Sequence, residues 1–265
     1  MKTLTRTMKM TMALGLGLGL TTAAVAAQEP TGIEVAQEAD RRDEGFHDLT
    51  AELRMVLRNR NGDESSRRMR NLTLEVEDDG DKSLVIFDEP RDVSGTAFLN
   101  YTHREGADDQ WLYLPALRRV KRIASNNKSG PFMGSEFAYE DIASQEVAKY
   151  TYDFVAAETV DGVAMYVIER VPVDENSGYT RQIAWFDQAE YRLQKIDFYD
   201  RKNELLKTLT YVDYQQYLDR YWRVDRLEMV NHQTGKSTTL SFANYQFQTG
   251  LTERDFDQSA LRRAR

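Results

Sequence analysis

Short runs in which apolar and polar residues alternate, separated by turn dipeptides, recur along most of this chain. In the first, Leu49, Ala51, Leu53, Met55 and Leu57 alternate with Thr50, Glu52, Arg54, Val56 and Arg58. A period of two sends successive side chains to opposite faces, so the run predicts a strand with one buried face. Asn61-Gly62 is a hairpin signal leading into 69–76, where Leu72, Leu74 and Val76 alternate with Asn71, Thr73 and Glu75. Asp79-Gly80 turns the chain into 83–87, and further strands fit 96–101, 110–114 and 119–123. The second half continues with 150–156, 162–171, 182–187, 193–199, 205–214, 222–231 and 237–247. Its turns are Asp161-Gly162, Ser177-Gly178, Arg201-Lys202-Asn203 and Thr234-Gly235. About a dozen antiparallel strands in meander order do not stay flat, so the fold is expected to curl into a barrel, a part-barrel or two packed layers.

One helix is predicted ahead of the strands. Ile33, Ala36 and Ala39 recur at helical spacing, Pro30 and Thr31 stand at the start, and Gly45 marks the end. Before it, residues 1–27 read as a cleaved secretory signal. Lys2, Arg6 and Lys9 precede an apolar Gly/Leu-rich run that ends in Val25, Ala26 and Ala27. The run is shorter than the roughly 20 residues a spanning helix needs. The expected working protein is residues 28–265, one exported domain, placed in the periplasm of a two-membrane bacterium.

Without residues 1–27 the chain keeps 32 basic and 43 acidic residues, a net charge of −11. That balance argues against a nucleic-acid partner, which needs a positive face. With no Cys in the sequence, disulfides, thiol catalysis and a lipid-modified terminal cysteine are all excluded. Tyr is abundant, at 14 residues beside 11 Phe. No Pro/Gly/Ser-rich linker or internal repeat divides the chain.

Residues 124–149 break the alternating pattern. Pro131, Phe132 and Met133 bring apolar groups into a loop, and Ser135 is placed to cap a short helix over 136–142. A segment of this length is expected to act as a helical lid or cavity plug, with a plain crossover as the alternative. Just before it, Arg118, Arg119, Lys121 and Arg122 concentrate positive charge in an acidic protein. They are candidates for contact with an anionic headgroup or a partner's acidic surface, or else a charged strand edge that resists edge pairing.

Catalytic signatures are missing. His47, His103 and His232 fall in separate elements without metal-ligand spacing, and neither a nucleophile elbow nor a P-loop occurs. The acidic pairs Asp78-Asp79 and Asp108-Asp109 sit near turns, where Asp serves the backbone. No catalytic residue, metal or cofactor is assigned. The expectation is a non-enzymatic binder of something apolar, since each methylene of an acyl chain costs about 0.8 kcal/mol to expose.

Two adjoining strings, DDQWLYLPALRRVKRI (108–123) and NKSGPFMGSEFAYEDI (127–142), resemble the outer-membrane lipoprotein-sorting protein family. So do FDEPRDVSGTAFL (87–99), FYDRKNELLKTLTY (198–211) and NHQTGKSTTLSFANYQFQTGLTERDF (231–256). These are relatives of the periplasmic lipoprotein carrier, and the resemblance spans nearly all of residues 28–265. It implies a strongly curved, incomplete antiparallel β-barrel, a half-barrel covered by helices, whose hollow accepts acyl chains. The implied function is to shield the acyl chains of a lipoprotein or lipid cargo and hand it on, without covalent chemistry. An inner-membrane transporter of the resistance-nodulation-division type is an implied partner. On this reading Leu53, Met55, Leu72 and Leu74 would line the hollow, Phe132, Met133, Phe137 and Tyr139 would close it, and the basic cluster would meet a headgroup or partner. A transporter scaffold is the alternative and a hydrolase ranks below it. A lipid-facing barrel is disfavoured, because Glu52, Arg54, Arg58 and Glu75 would face lipid.

Overall fold

A computed structural model of the protein describes residues 29–263. The signal-like segment 1–27 lies outside the described residues. Within them, helix α1 (Gly32–Asp43) is followed by strands β1 (Asp48–Arg58), β2 (Glu64–Leu74), β3 (Lys82–Glu89), β4 (Ala97–Tyr101), β5 (Asp109–Leu114) and β6 (Arg119–Ile123). After the crossover come β7 (Tyr150–Val160), β8 (Val163–Pro172), β9 (Tyr179–Asp187), β10 (Leu193–Asp200), β11 (Leu205–Tyr217), β12 (Tyr221–Asn231), β13 (Ser237–Phe247) and helix α2 (Gln258–Arg263).

All thirteen strands form one antiparallel sheet in the order β6-β5-β4-β3-β2-β1-β13-β12-β11-β10-β9-β8-β7. Two meanders meet where β1 pairs with β13, Met55 opposite Leu240. Strands β6 and β7 are left as free edges, so the sheet is not closed into a barrel. The crossover 124–149 runs from one edge to the other. It also shows how far the sheet curls. Strands β5 and β9 are nine strand spacings apart, roughly 43 Å across a flat sheet. Yet Gln110 on β5 donates to the Tyr139 carbonyl, and Tyr179 on β9 donates to Asp141, two residues further on. Only a strongly curved sheet brings those strands to one short segment.

The inner face carries the main core, including Met55, Met69, Phe87, Phe98, Ile168, Ile196 and Met229. The outer face carries a second cluster of Leu84, Ile86, Ala97 and Leu99 under Phe256 and the α2 residues Ala260 and Leu261. Leu72 and Leu74, predicted for the hollow, pack in this outer cluster. Leu53 opposite Met69 fixes the inner set of β1 and β2, and Leu72 lies three residues on, with the opposite parity.

Helix α1 starts on a capping box. The Glu34 amide donates to Thr31 Oγ1 at 3.3 Å, and the Thr31 amide donates to Glu34 Oε2 at 2.7 Å. Its buried face is Gly32, Val35 and Ala36, while Ile33 is 45% exposed. The predicted apolar face was therefore rotated by about one residue. Gly32 explains the rotation, since a Cβ there would lie 2.8 Å from the Asp153 backbone of β7. The helix docks through its glycine.

Candidate functional site

The crossover fills one end of the inner face. Phe132 is 1% exposed, with its ring centroid 5.2 Å from Phe98, 5.5 Å from Tyr139 and 6.0 Å from Phe87. Phe137 is equally buried in the same core. The helix predicted over 136–142 is not formed. Single 3-10 turns occur at Phe132–Gly134 and Tyr139–Asp141 instead. The reason lies in the backbone's partners, because the groups a helix would use are taken up by the sheet and by local side chains. The Glu136 amide donates to Thr238 Oγ1, and the Ala138 amide donates to Asp141 Oδ2. Lys207 Nζ donates to the Glu136 carbonyl, and Arg67 Nη1 donates to the Met133 carbonyl.

Asp141 is the anchor of this arrangement. It pairs with Lys207 at 2.6 Å, both side chains 4% exposed, and accepts the Tyr179 hydroxyl at 2.8 Å. Burial, with the adjacent carboxylates Asp141 and Glu140, holds the Tyr179 phenol well above its ordinary range, so it stays a donor. Glu140 accepts from Ser177 Oγ at 2.8 Å and the Gly178 amide at 2.9 Å. Lys128 pairs with Asp174 at 2.6 Å, and Lys149 pairs with Asp108. The segment is pinned from β2, β5, β9, β11, β12 and β13.

The other end of the inner face is hollow. A cavity of about 1190 Å³ lies between α1 and the sheet. Ala36 and Ala39 of α1 form its roof, and Leu49, Phe186, Leu193 and Phe242 contribute apolar walls. Aromatic residues with polar tips, Tyr152, Tyr191, Tyr211, Tyr214, Trp222 and Tyr245, add to these, and charged side chains make up most of the rest. The Tyr211 and Tyr214 rings are stacked at 6.4 Å, with Asp213 between them at φ +59°. Arg192 lies over Trp222 at 4.4 Å and Tyr214 at 5.3 Å, held by Asp187 at 2.8 Å. Arg42 of α1 crosses to Glu190 at 3.3 Å and lies over Tyr191 at 4.7 Å, tying the roof to a wall.

The rim is acidic. Asp81, hydrogen-bonded to Ser144 Oγ at 3.3 Å, has its carboxyl pushed up to about 7 by burial, with repulsion from Glu146, Asp43 and Glu75 adding to it. Asp40 and Glu146 are raised in the same direction, again mainly by burial. Among the described residues, no group of three or more His, Cys, Asp or Glu is arranged to hold a metal ion.

None of the eight residues singled out for the hollow lines this cavity. Leu53, Met55, Phe132 and Phe137 are core residues of the filled end, with Met133 and Tyr139 packed against them. Leu72 and Leu74 are on the outer face. The four cations are all exposed at edge strand β6, with Arg118 at φ +50° in the turn before it. The strand period splits the others. Arg119 and Lys121, opposite Leu114 and Leu112, share one face, while Arg122 takes the other and pairs with Asp109. They form a charged edge rather than one patch, and none borders the cavity. The residues that do line it had one signal in the sequence. The run 211–222 holds Tyr211, Tyr214, Tyr217, Tyr221 and Trp222, a concentration of amphipathic rings that an ordinary hairpin does not need.

The fold and the cavity together define a class: a curled, unclosed antiparallel sheet with a helix-roofed hollow on its inner face. A family model described as "Uncharacterized protein" matches residues 79–263. The crystal structure of a domain from Vibrio parahaemolyticus, provisionally described as an outer membrane lipoprotein-sorting protein domain, shares 58% identity at a TM-score of 0.86. That match covers 87% of this chain and 98% of the other. A DUF1329 family protein from Desulfovibrio piger shares 31% identity over 87% of this chain and 97% of that one, with a TM-score of 0.82. A LolA superfamily protein from Nitrosomonas europaea has the same fold, with a TM-score of 0.71 at 21% identity over 88% of this chain and all of that one. No curated protein matches the chain. The chain belongs to the outer-membrane lipoprotein-sorting protein family, and its fold is LolA-like.

Proposed function

We propose that this protein is a periplasmic carrier that holds the acyl chains of a lipid or lipoprotein in the cavity under α1 and passes them on without covalent chemistry. The observation that carries this reading is the cavity itself. At about 1190 Å³ it exceeds the 300–1,000 Å³ range usual for small-molecule pockets. Its walls combine aliphatic groups with Tyr and Trp rings, which bury an apolar chain and keep their polar tips for the solvent or a headgroup. Hiding a methylene there recovers about 0.8 kcal/mol, so a long acyl chain supplies ample driving force.

The filled end of the inner face supports a static role for the crossover in this cycle. With its rings in the core and its backbone and side chains bonded to six strands, the plug stays in place while cargo enters past α1. The exposed cations of β6 lie at the sheet edge remote in strand order from the α1-contacting strands β7 and β8. They support docking on an acidic membrane-protein partner, for which a transporter of the resistance-nodulation-division type is the class the resemblance suggests.

The test is native mass spectrometry of residues 28–265 purified gently from periplasm, followed by organic extraction. A discrete co-purifying lipid or acylated peptide is the expected result. An empty protein that also takes up no fluorescent acyl probe would overturn the reading.

A further inference from the structure

Among the described residues, two buried side-chain polar atoms have no hydrogen-bond partner: Arg170 Nη2 and Trp222 Nε1. Both are N–H donors, and both residues line the same cavity. Unpaired buried donors are rare in native proteins, and two converging on one hollow imply that its occupant supplies acceptors.

Arg170 is the more informative of the two. It is 4% exposed, on β8. Its Nε donates to Gln182 Oε1 at 2.7 Å, and its guanidinium lies over the Tyr150 ring at 4.9 Å. Both partners are neutral. Tyr152 and Tyr211, also beside it, are phenols that burial keeps protonated. The carboxylates of the adjoining crossover are already engaged, Asp141 by Lys207 and Tyr179, and Glu140 by Ser177 and Gly178. A buried cation without a counter-charge is costly, and guanidinium geometry favours a carboxylate or phosphate. The cavity rim offers an anion less, because acids outnumber arginines in the lining and the rim cations Arg104 and Arg223 already pair with Glu44 and Asp43.

We infer that the cavity takes an anionic acyl lipid, of which a fatty carboxylate is the simplest, with an oxygen of its oxyanion seated on Arg170 Nη2. The inference rests on the carrier reading and names its ligand class. Trp222 offers the second N–H for a further acceptor oxygen on the occupant. The charged group enters first and sits inside, and the tail lies along Tyr211, Tyr214 and Phe242 towards the rim.

The experiment compares oleate, oleyl alcohol and oleylamine as competitors for a fluorescent acyl probe on delipidated residues 28–265. Oleate is expected to bind at least 10-fold more tightly than the alcohol, and the amine most weakly. Arg170→Met is expected to bring oleate down to the affinity of the alcohol while leaving the alcohol unchanged. Arg170→Lys should keep part of the preference. Trp222→Phe, which keeps a ring and removes the donor, should weaken oleate by a smaller factor. Equal binding of oleate and alcohol by the unaltered protein would overturn the inference and leave the carrier reading standing. That comparison needs no variant to fold. Failure of all three ligands to bind would overturn both.

Discussion

The two ends of one inner sheet face have been treated in opposite ways. At the filled end, Phe132 and Phe137 enter from the crossover and join Phe87, Phe98 and Met55 in one apolar core. Around that apolar centre, polar groups are matched in detail, with Asp141, Glu140 and Lys207 each making at least two bonds or pairs. At the hollow end the crossover contributes only Ser144 to Val147 at the border and inserts no aromatic ring. Tyr and Trp outnumber Phe in the lining, and the unpartnered donor atoms Arg170 Nη2 and Trp222 Nε1 are found there. The difference teaches where a curved sheet keeps its stability and where it keeps its function. A sheet this wide has more inner face than its own side chains can cover, so a long insertion completes one half and, on the proposed reading, a ligand completes the other.

Breaking the anchor of the filled end should produce the largest effect. Lys207→Met leaves Asp141 buried with its counter-charge gone, and a loss of about 3–5 kcal/mol is expected in chemical denaturation. The next largest effect compares truncations at the two ends. Phe132→Ala should cost about 3–5 kcal/mol, whereas Leu193→Ala, whose side chain borders the hollow, should cost less than about 2 kcal/mol. The same pair of variants should separate in the opposite sense in an acyl-probe titration, with only Leu193→Ala changing affinity in protein that remains folded.

The rim gives a pH signature. The Asp81 carboxyl titrates near pH 7 in the folded protein and near its ordinary acidic value when unfolded, so the folded state holds the proton more tightly. Its contribution to stability is present below the unfolded pKa, about 4, and is lost as pH rises towards 7, on the order of a few kcal/mol. Thermal melts between pH 4 and 8 should show this decline, and Asp81→Asn should flatten it. The smallest effect is expected at the β6 edge. Arg119→Glu with Lys121→Glu changes exposed groups only and should alter stability by less than about 0.5 kcal/mol. If partner docking uses this edge, membrane-partner pull-down should fall while acyl binding is retained.

Much of the sheet could be read in the sequence, because alternation is a local signal. The strands expected at 119–123 and 237–247 coincide with β6 and β13 end to end, and the others differ by a few residues at their termini. What alternation does not show is which face is inside when both are covered. Helix α2 was not foreseen, and under it the outer positions Leu72, Leu74, Leu84 and Ile86 are as apolar as inner ones. The site was less legible for a similar reason. Arg170, between Glu169 and Val171, reads as an ordinary solvent-facing cation, yet it is buried on the inner face with Gln182 of β9 and Tyr150 of β7 as its partners. In the crossover, composition suggested a helix at 136–142, but bonds to residues about 70 to 100 positions away fixed a different backbone. Ile33 and Gly32 make the same point on a smaller scale, since close approach to β7 outweighed side-chain hydrophobicity.

The central claim is that acyl chains occupy the hollow end under α1 rather than the filled end or the outer face. The three tryptophans are placed to report on it. Trp222 lines the cavity, Trp111 packs in the outer-face cluster, and Trp185 alternates with the inner residues Ala184 and Phe186 of β9 and donates to Glu158. The most direct measurement is quenching of tryptophan fluorescence by a fatty acid brominated along its chain. Trp111→Phe/Trp185→Phe protein, which keeps Trp222, should be quenched saturably, and Trp222→Phe protein should bind the same ligand with little quenching. Strong quenching of Trp111 or Trp185 with Trp222 unaffected would place the acyl chain outside the cavity and contradict the claim.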